Sequence, residues 1–218
     1  MKRAIRAAGT AAVTTTALVS AAVTTGTTPT SATAHSAAAA STDPAHAPGF
    51  GYTEIREGVP GSAARFTVTS PDVTDGGVFP ADAFADAFGC SGDNREIRLS
   101  WNGAPKGTRS YAVTMFDKDA PTGAGFWHWL TWDIPATHSS LDGALPSGAI
   151  AGTHDAGGVG YLGPCPPSGD RAHHYQITVY ALDVPSLRLP ASTTPTATAF
   201  TMSGHIIGFA RLTATARR

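Results

Sequence analysis

Residues 173–182 read HHYQITVYAL, and this stretch decides the fold class. It is dense in the β-branched and aromatic side chains that strands favour, and apolar residues recur at every second position. Residues 126–134 (FWHWLTWDI) and 110–117 (SYAVTMFD) have the same character. Shorter segments of this kind predict further strands at 66–69, 97–101 and 205–214.

Helix signals are few. Residues 79–88, with Pro80 early and Gly89 directly after, predict one short helix or helical turn. A second is predicted to open at Pro195 and to close at Gly204. At least six strands with so little helix indicate a mainly β protein in which two antiparallel sheets pack face to face.

Composition excludes several classes of protein. The chain has 218 residues with 24 Gly and 16 Pro, which disfavours a long-helix bundle or a coiled coil. The 15 basic and 16 acidic residues nearly cancel, so the charge footprint of a nucleic-acid-binding protein is missing. Outside the N-terminus no apolar run reaches the length of a bilayer span, so no transmembrane span is expected in the mature chain.

The N-terminus has the three-part order of a Sec-type signal peptide. A basic start is followed by uncharged residues 7–23 and by the Ala-x-Ala end at residues 32–34. A secreted or extracytoplasmic location follows, the alternative being a low-complexity tail. No cysteine lies near the cleavage site, so a lipid anchor is not expected. The predicted organisation is a signal peptide at 1–34, a flexible linker at 35–49 and one folded domain at 50–218.

Strand alternation brings polar side chains together, because successive side chains point to opposite faces. Asp117 shares a face with the apolar residues of its strand, and His173 rather than His174 shares a face with Tyr175. Strict alternation places His128 with Leu130, Trp132 and Ile134. These groups lie near strand ends, which predicts a ligand site at the rim of the sandwich. The alternative is an internally hydrogen-bonded His–Asp cluster without a ligand.

Two motifs carry a family resemblance. Residues 117–121 (DKDAP), followed by His128-Trp129, resemble the first signature of the phosphatidylethanolamine-binding protein family. Residues 160–169 (GYLGPCPPSG), followed by His173-His174-Tyr175, resemble the second. The CSGDN stretch at 90–94 is similar to the bacterial branch, often called Raf-kinase-inhibitor-like proteins. The resemblance runs from about residue 64 to 216.

The resemblance implies a Greek-key antiparallel β-sandwich with a few short helices. It also implies a small pocket for phosphate-like anions, including phospholipid headgroups. Two positions depart from the family pattern: Lys118 stands where Pro is usual, and His174 stands where Arg is usual. By motif position the ligand-binding residues are Asp117, Asp119, Pro121, Phe126, His128, Gly163, Cys165, Pro166, Pro167, His173 and Tyr175.

For the mechanism we expect a carboxylate to bond one imidazole nitrogen and to turn the other N–H toward the anion. The Tyr175 hydroxyl and backbone N–H groups around Gly163 are expected to donate as well. This hypothesis predicts tighter binding at mildly acidic pH.

We expect a binding protein rather than an enzyme, with no cofactor and no metal. The chain has neither a Gly-x-Ser-x-Gly elbow nor a phosphate-binding P-loop. The alternative is a hydrolase or a metal-dependent enzyme that uses Asp117, His128 and His173. Family members bind kinases or proteases, so a regulator with a secreted protease or a signalling protein as its target also stays open.

Cys90 and Cys165 are the two cysteines of the chain. An even count in an exported chain permits a disulfide, and two separate thiols are the alternative.

Overall fold

The computed structural model describes Gly51, Ile55 and residues 58–218. The predicted signal peptide (1–34) and linker (35–49) lie outside the described residues. Within the described part, no helix is both long and apolar enough to cross a membrane.

Strands dominate the described residues, as predicted. They are β1 (Ala64–Arg65), β2 (Thr67–Thr69), β3 (Leu99–Asn102), β4 (Ser110–Asp117), β5 (Phe126–Pro135), β6 (Ser140–Leu141), β7 (Ile150–Ala151), β8 (His173–Leu182) and β9 (Ile206–Ala216). One α-helix, α1 (Pro195–Ser203), precedes β9, and one 3-10 turn covers Ala81–Ala83. The predicted mainly β class is confirmed.

The strands form two sheets. The larger has the order β1-β9-β8-β4-β5-β7, and the smaller has the order β2-β3-β6. Every named strand pair is antiparallel except β1 with β9, which run parallel. The long central strands β4, β5 and β8 are therefore neighbours, and the residues at their ends meet at one edge of the sandwich.

Apolar side chains fill both faces of the larger sheet. An inner cluster between the two sheets includes Trp101, Met115, Trp129 and Ile177. An outer cluster on the opposite face includes Trp132 and Met202 of α1. Burial of this kind contributes roughly 25 cal/mol per Å² of apolar surface and stabilises the fold on both sides of the sheet.

Of the short helix or helical turn predicted at 79–88, the structure forms a single helical turn. Only the turn Ala81–Ala83 is helical, and Phe84 is already extended with ψ 153°. The backbone N–H of Ala85 donates to the Pro164 carbonyl rather than to a preceding turn of helix (3.2 Å). Contacts with a distant loop thus override the local helix signal.

The alternation predicted for β5 is also wrong, because two register shifts interrupt its pairing with β4. Trp127 pairs with Phe116 and Trp129 with Met115, so His128 is an extra residue between two paired ones. The second shift lies near Asp133, whose φ is 57°. Consequently Leu130 and Trp132 join the outer cluster, while Trp129 and Ile134 join the inner one.

Candidate ligand-binding site

The predicted site residues of three neighbouring strands meet at one end of the larger sheet, where β4 ends and β5 and β8 begin. Asp117, the last residue of β4, pairs with Phe126 of β5 on one side and with Tyr175 of β8 on the other. His173 begins β8, and His128 sits in the bulge of β5. We call Asp117, His128, His173 and Tyr175 the rim cluster; all four are buried.

His173 is clamped between two carboxylates. Its Nδ1–H donates to Asp117 Oδ2 at 2.7 Å, and its Nε2–H donates to Asp170 Oδ2 at 3.2 Å. The ring has no exposed surface. A carboxylate can only accept when ionised, so both ring nitrogens carry a proton and the ring is an imidazolium.

The two carboxylate partners of His173 keep its ring protonated. Burial by itself disfavours the charged ring, but the hydrogen bonds and charges of Asp117 and Asp170 outweigh it and raise the pKa of His173. Asp117 also accepts the backbone N–H of Asp119 at 2.9 Å through its other oxygen. Neither nitrogen of His173 is left to face a ligand.

His128 is in the opposite electrostatic state. Its Nδ1 lies 3.1 Å from both the Leu162 and the Gly163 carbonyl oxygens. Carbonyls only accept, so Nδ1 carries the proton. Burial lowers the pKa of His128 to about 4, although Asp117 and the two carbonyls act against this. At neutral pH the ring is therefore uncharged, with its lone pair on Nε2.

The Nε2 atom of His128 forms no hydrogen bond among the described residues and is not sealed from solvent. The His128 ring packs edge-on against Tyr175, with 5.2 Å between ring centroids, and tilts against Phe126 at 4.8 Å. These contacts fix the direction of Nε2 and leave it available to a bound group.

Hydrogen bonds from Asn94 and a disulfide hold in place the loop that carries the Leu162 and Gly163 carbonyls. Asn94 Nδ2 donates to the Tyr161 carbonyl (3.1 Å), and Asn94 Oδ1 accepts the Gly163 N–H (2.7 Å). A disulfide joins Cys165 of this loop to Cys90. Gly163 also approaches the backbone of Ala83 so closely that a Cβ would lie 2.1 Å from its carbonyl oxygen.

The Tyr175 hydroxyl is fully buried and has no hydrogen-bond partner among the described residues. Asp117 and the Cys165 backbone interact with it, but neither completes a hydrogen bond of good geometry. Burial raises the pKa of Tyr175 far above its ordinary value, so the hydroxyl keeps its proton and remains a donor.

Asp119 is occupied by protein partners. One oxygen accepts from Arg171, and the other accepts from the backbone N–H and ring Nδ1 of His174, each at 2.7 Å. Burial acts to raise the pKa of Asp119, yet His174 and the charge of Arg171 lower it below its usual range. In this chain His174 therefore orients Asp119, while Lys118 is exposed.

The remaining predicted residues lie around this cluster. Pro121 and Pro167 are exposed, Pro166 is buried, and Phe126 is half-buried against His128. Sequence reasoning missed Asn94, Asp170 and Arg171 as partners. Asn94 lies within the quoted CSGDN stretch and Asp170 directly follows the second motif, but nothing in their spacing indicates which atoms they contact.

The expected mechanism needs correction on two points. The carboxylate-bonded imidazole, His173, has both nitrogens occupied, and the imidazole with an open nitrogen, His128, rests on backbone carbonyls instead. The Gly163 N–H donates to Asn94 and is not free for an anion. As for metals, no group of three or more His, Cys, Asp or Glu suited to hold an ion occurs within residues 58–218 or at the two other described positions.

Comparison with known proteins gives consistent matches. The family profile described as "Phosphatidylethanolamine-binding protein" matches residues 69–217. The UPF0098 protein YbcL of Escherichia coli is 40% identical over 159 residues, covering 69% of this chain and 87% of its own length. The putative lipoprotein LppC of Mycobacterium tuberculosis is 35% identical over 165 residues, covering 75% of this chain and 78% of its own.

Solved structures give the same picture. The crystal structure of E. coli YbcL, described as a new member of the mammalian PEBP family, superposes with a TM-score of 0.69 at 37% identity. The match covers 71% of this chain and 99% of that structure. A putative phosphatidylethanolamine-binding protein homologue from Chlamydia trachomatis superposes with a TM-score of 0.62 at 30% identity, covering 72% and 99% of the two chains.

Proposed function

This chain belongs to the phosphatidylethanolamine-binding protein family, and from that premise we propose that the rim cluster reversibly binds a small phosphate-like group. The main support is the Tyr175 hydroxyl, which is buried next to the His128 ring without a hydrogen-bond partner among the described residues. A buried hydroxyl that forms no hydrogen bond costs about 1–3 kcal/mol. An oxygen of a bound ligand would accept this hydrogen bond and remove that cost.

The charges around the cluster support a compact ligand. The imidazolium of His173 offsets part of the charge of Asp117 and Asp170, and Arg171 offsets that of Asp119. Since the carboxylates are already satisfied by protein donors, the groups left for a ligand are the Tyr175 O–H and His128 Nε2. A free phosphate and a lipid headgroup both present unprotonated phosphate oxygens that can accept from the Tyr175 O–H.

Removing one hydroxyl tests this proposal. We expect Tyr175→Phe to weaken the binding of inorganic phosphate about tenfold or more, because a hydrogen bond to a charged group is worth about 1.5–3 kcal/mol. The melting temperature should stay the same or rise, since the lost hydroxyl has no protein partner. Isothermal titration calorimetry and thermal unfolding measure the two effects.

Tyr180→Phe is the matched control, because Tyr180 lies in the outer cluster on the other face of the sheet. It should leave phosphate binding unchanged. If Tyr175→Phe binds phosphate as tightly as the unmodified protein, the assignment of this hydroxyl to the ligand is wrong.

We further propose that the site binds without turnover. Both nitrogens of His173 are held by carboxylates, His128 Nδ1 is held by carbonyls, and Cys165 is tied up in a disulfide. Neither imidazole of the cluster activates a hydroxyl or thiol nucleophile among the described residues. Hydrolysis of a phosphoester by the purified protein, abolished by His128→Ala, would overturn this part of the proposal.

Export is the proposed setting of this function. It is supported by the basic start, the uncharged stretch and the Ala-x-Ala end of residues 1–34. A relative is called a putative lipoprotein, and the Cys90–Cys165 disulfide suits an oxidising compartment. The two cysteines of this chain are the disulfide pair, and neither lies near residue 34.

A further inference from the structure

We propose that the rim cluster selects oxyanions that carry a proton, namely hydrogen phosphate or a singly protonated phosphomonoester, over fully deprotonated sulfate and phosphodiesters. This inference rests on the proposed function and specifies its ligand. The site presents a hydrogen-bond donor and an acceptor to a ligand at fixed positions. A ligand must match both a donor and an acceptor there.

The acceptor is Nε2 of His128, and the backbone carbonyls on the other side of the ring determine this. Two carbonyl oxygens, those of Leu162 and Gly163, lie 3.1 Å from His128 Nδ1 and require a proton on that nitrogen. The neutral ring then has a lone pair on Nε2, which no described residue uses. An oxyanion without a proton would place a negatively charged oxygen against this lone pair, which is repulsive.

The surroundings of His128 keep it neutral. The ring is buried, and the titratable groups that face it are Asp117 at the end of β4, Tyr175 on β8 and His154 in the loop after β7. Tyr175 stays protonated and His154 has a lowered pKa through burial. The negative charge of Asp117 acts to raise the pKa of His128, but the opposite effect of burial is larger. Above about pH 5, Nε2 therefore remains an acceptor.

A P–OH group supplies what the site lacks. It would donate to His128 Nε2, while another phosphate oxygen accepts from the Tyr175 O–H. Hydrogen phosphate keeps one P–OH throughout the neutral range, and a phosphomonoester keeps one only below its second pKa of about 6. Sulfate and phosphodiesters have none near neutrality, so they can satisfy Tyr175 but not His128.

Calorimetry on the full chain with four probes tests the selectivity. The probes are inorganic phosphate, sulfate, phosphoethanolamine and its diester counterpart glycerophosphoethanolamine. At pH 5.5 we expect phosphate and phosphoethanolamine to bind at least tenfold more tightly than sulfate and the diester. At pH 8 phosphate should keep its advantage over sulfate, and phosphoethanolamine should lose most of its affinity.

The outcomes separate the two proposals. Equal affinities for phosphate and sulfate would overturn the selectivity and leave the proposed function standing, as would equal affinities for the monoester and the diester. No binding of any probe would overturn both. Tight sulfate binding that appears only near pH 4, where His128 gains a second proton, would support the inference, because Nε2 then becomes a donor.

Two further measurements isolate His128. In His128→Leu the acceptor is gone, so the preference for phosphate over sulfate should disappear; His138→Leu, at an exposed histidine, is the control and should retain it. The ¹⁵N shifts of the His128 ring in the unmodified protein should show a protonated Nδ1 and an unprotonated Nε2 at neutral pH. The reverse tautomer would overturn the inference even if the variant fails to fold.

Discussion

At the scale of single residues, two histidines of the rim cluster are set in opposite states by what they touch. His173 lies between Asp117 and Asp170 and holds a charge in a buried position. His128 touches carbonyl oxygens and stays neutral. The same type of side chain is thus a buried countercharge in one place and, in the other, carries an acceptor nitrogen that no described residue uses.

Asp170→Asn should destabilise the protein in a pH-dependent way. The pKa of His173 is raised on folding, so its stabilisation is fully present below the unfolded pKa of about 6.5 and disappears as the pH rises through the folded value. We expect a loss of about 1.5–3 kcal/mol at pH 6 and a smaller loss at pH 9. Urea unfolding at the two pH values measures it.

The control is Asp183→Asn, which removes the carboxylate of a surface pair with His205 (2.9 Å, both side chains more than a third exposed). It should change stability little, because exposed pairs are screened by water. Equal losses for the two variants at pH 6 would contradict a special role for the buried clamp.

How far the sequence predicts this chemistry differs between residues. Alternation along residues 173–182 separates His173 from His174 correctly, because β8 is regular and its faces differ in polarity. The state of His128 could not be predicted, since its partners are the carbonyls of Leu162 and Gly163 on a distant loop. Backbone carbonyls leave no trace in side-chain identity.

At the scale of elements, the loop at 160–169 holds the site together. Asn94 clamps it, the disulfide ties it to Cys90, and Gly163 lets it approach the backbone of Ala83. Through its second motif, the sequence predicted that residues of this loop belong to the site, but it left the disulfide open. The β5 bulge was missed, because one extra residue changes no composition and only shifts which side chains face inward.

Gly163→Ala should disturb both stability and binding. The added Cβ would meet backbone atoms of Ala83 and Ala85, which cannot rotate away. We expect a loss of about 1–3 kcal/mol and a clear loss of phosphate affinity, because the loop would shift the carbonyls that orient His128. Gly61→Ala, where nothing lies within 4 Å, is the control for thermal unfolding and calorimetry. Normal phosphate binding by Gly163→Ala would show that loop position does not matter.

At the scale of the whole molecule, the predicted basic leader precedes a domain that contains a disulfide bond. Lys2, Arg3 and Arg6 are the charged residues of the predicted leader, so its removal leaves a more acidic chain. A phosphate-like ligand would then be attracted by the local geometry of the rim cluster rather than by the overall field.

The export proposal predicts a defined processed form. After expression in a secreting host, N-terminal sequencing of the extracytoplasmic protein should begin at His35. Replacing Ala32 and Ala34 by Leu should block this cleavage, because the peptidase requires small residues there. Ala38→Leu, beyond the cleavage site, is the control. Intact full-length protein in the cytosol alone would contradict the proposal.

The clamp on His173 also gives the molecule a built-in spectroscopic signal. A ring with no exposed surface whose two N–H groups both end on carboxylates exchanges its protons with water slowly. Such protons give resolved resonances far downfield in a proton spectrum, away from all amide signals. Because Asp117 lies beside both His173 and Tyr175, these resonances should shift when the site is occupied, and occupancy can be followed without labelling the ligand.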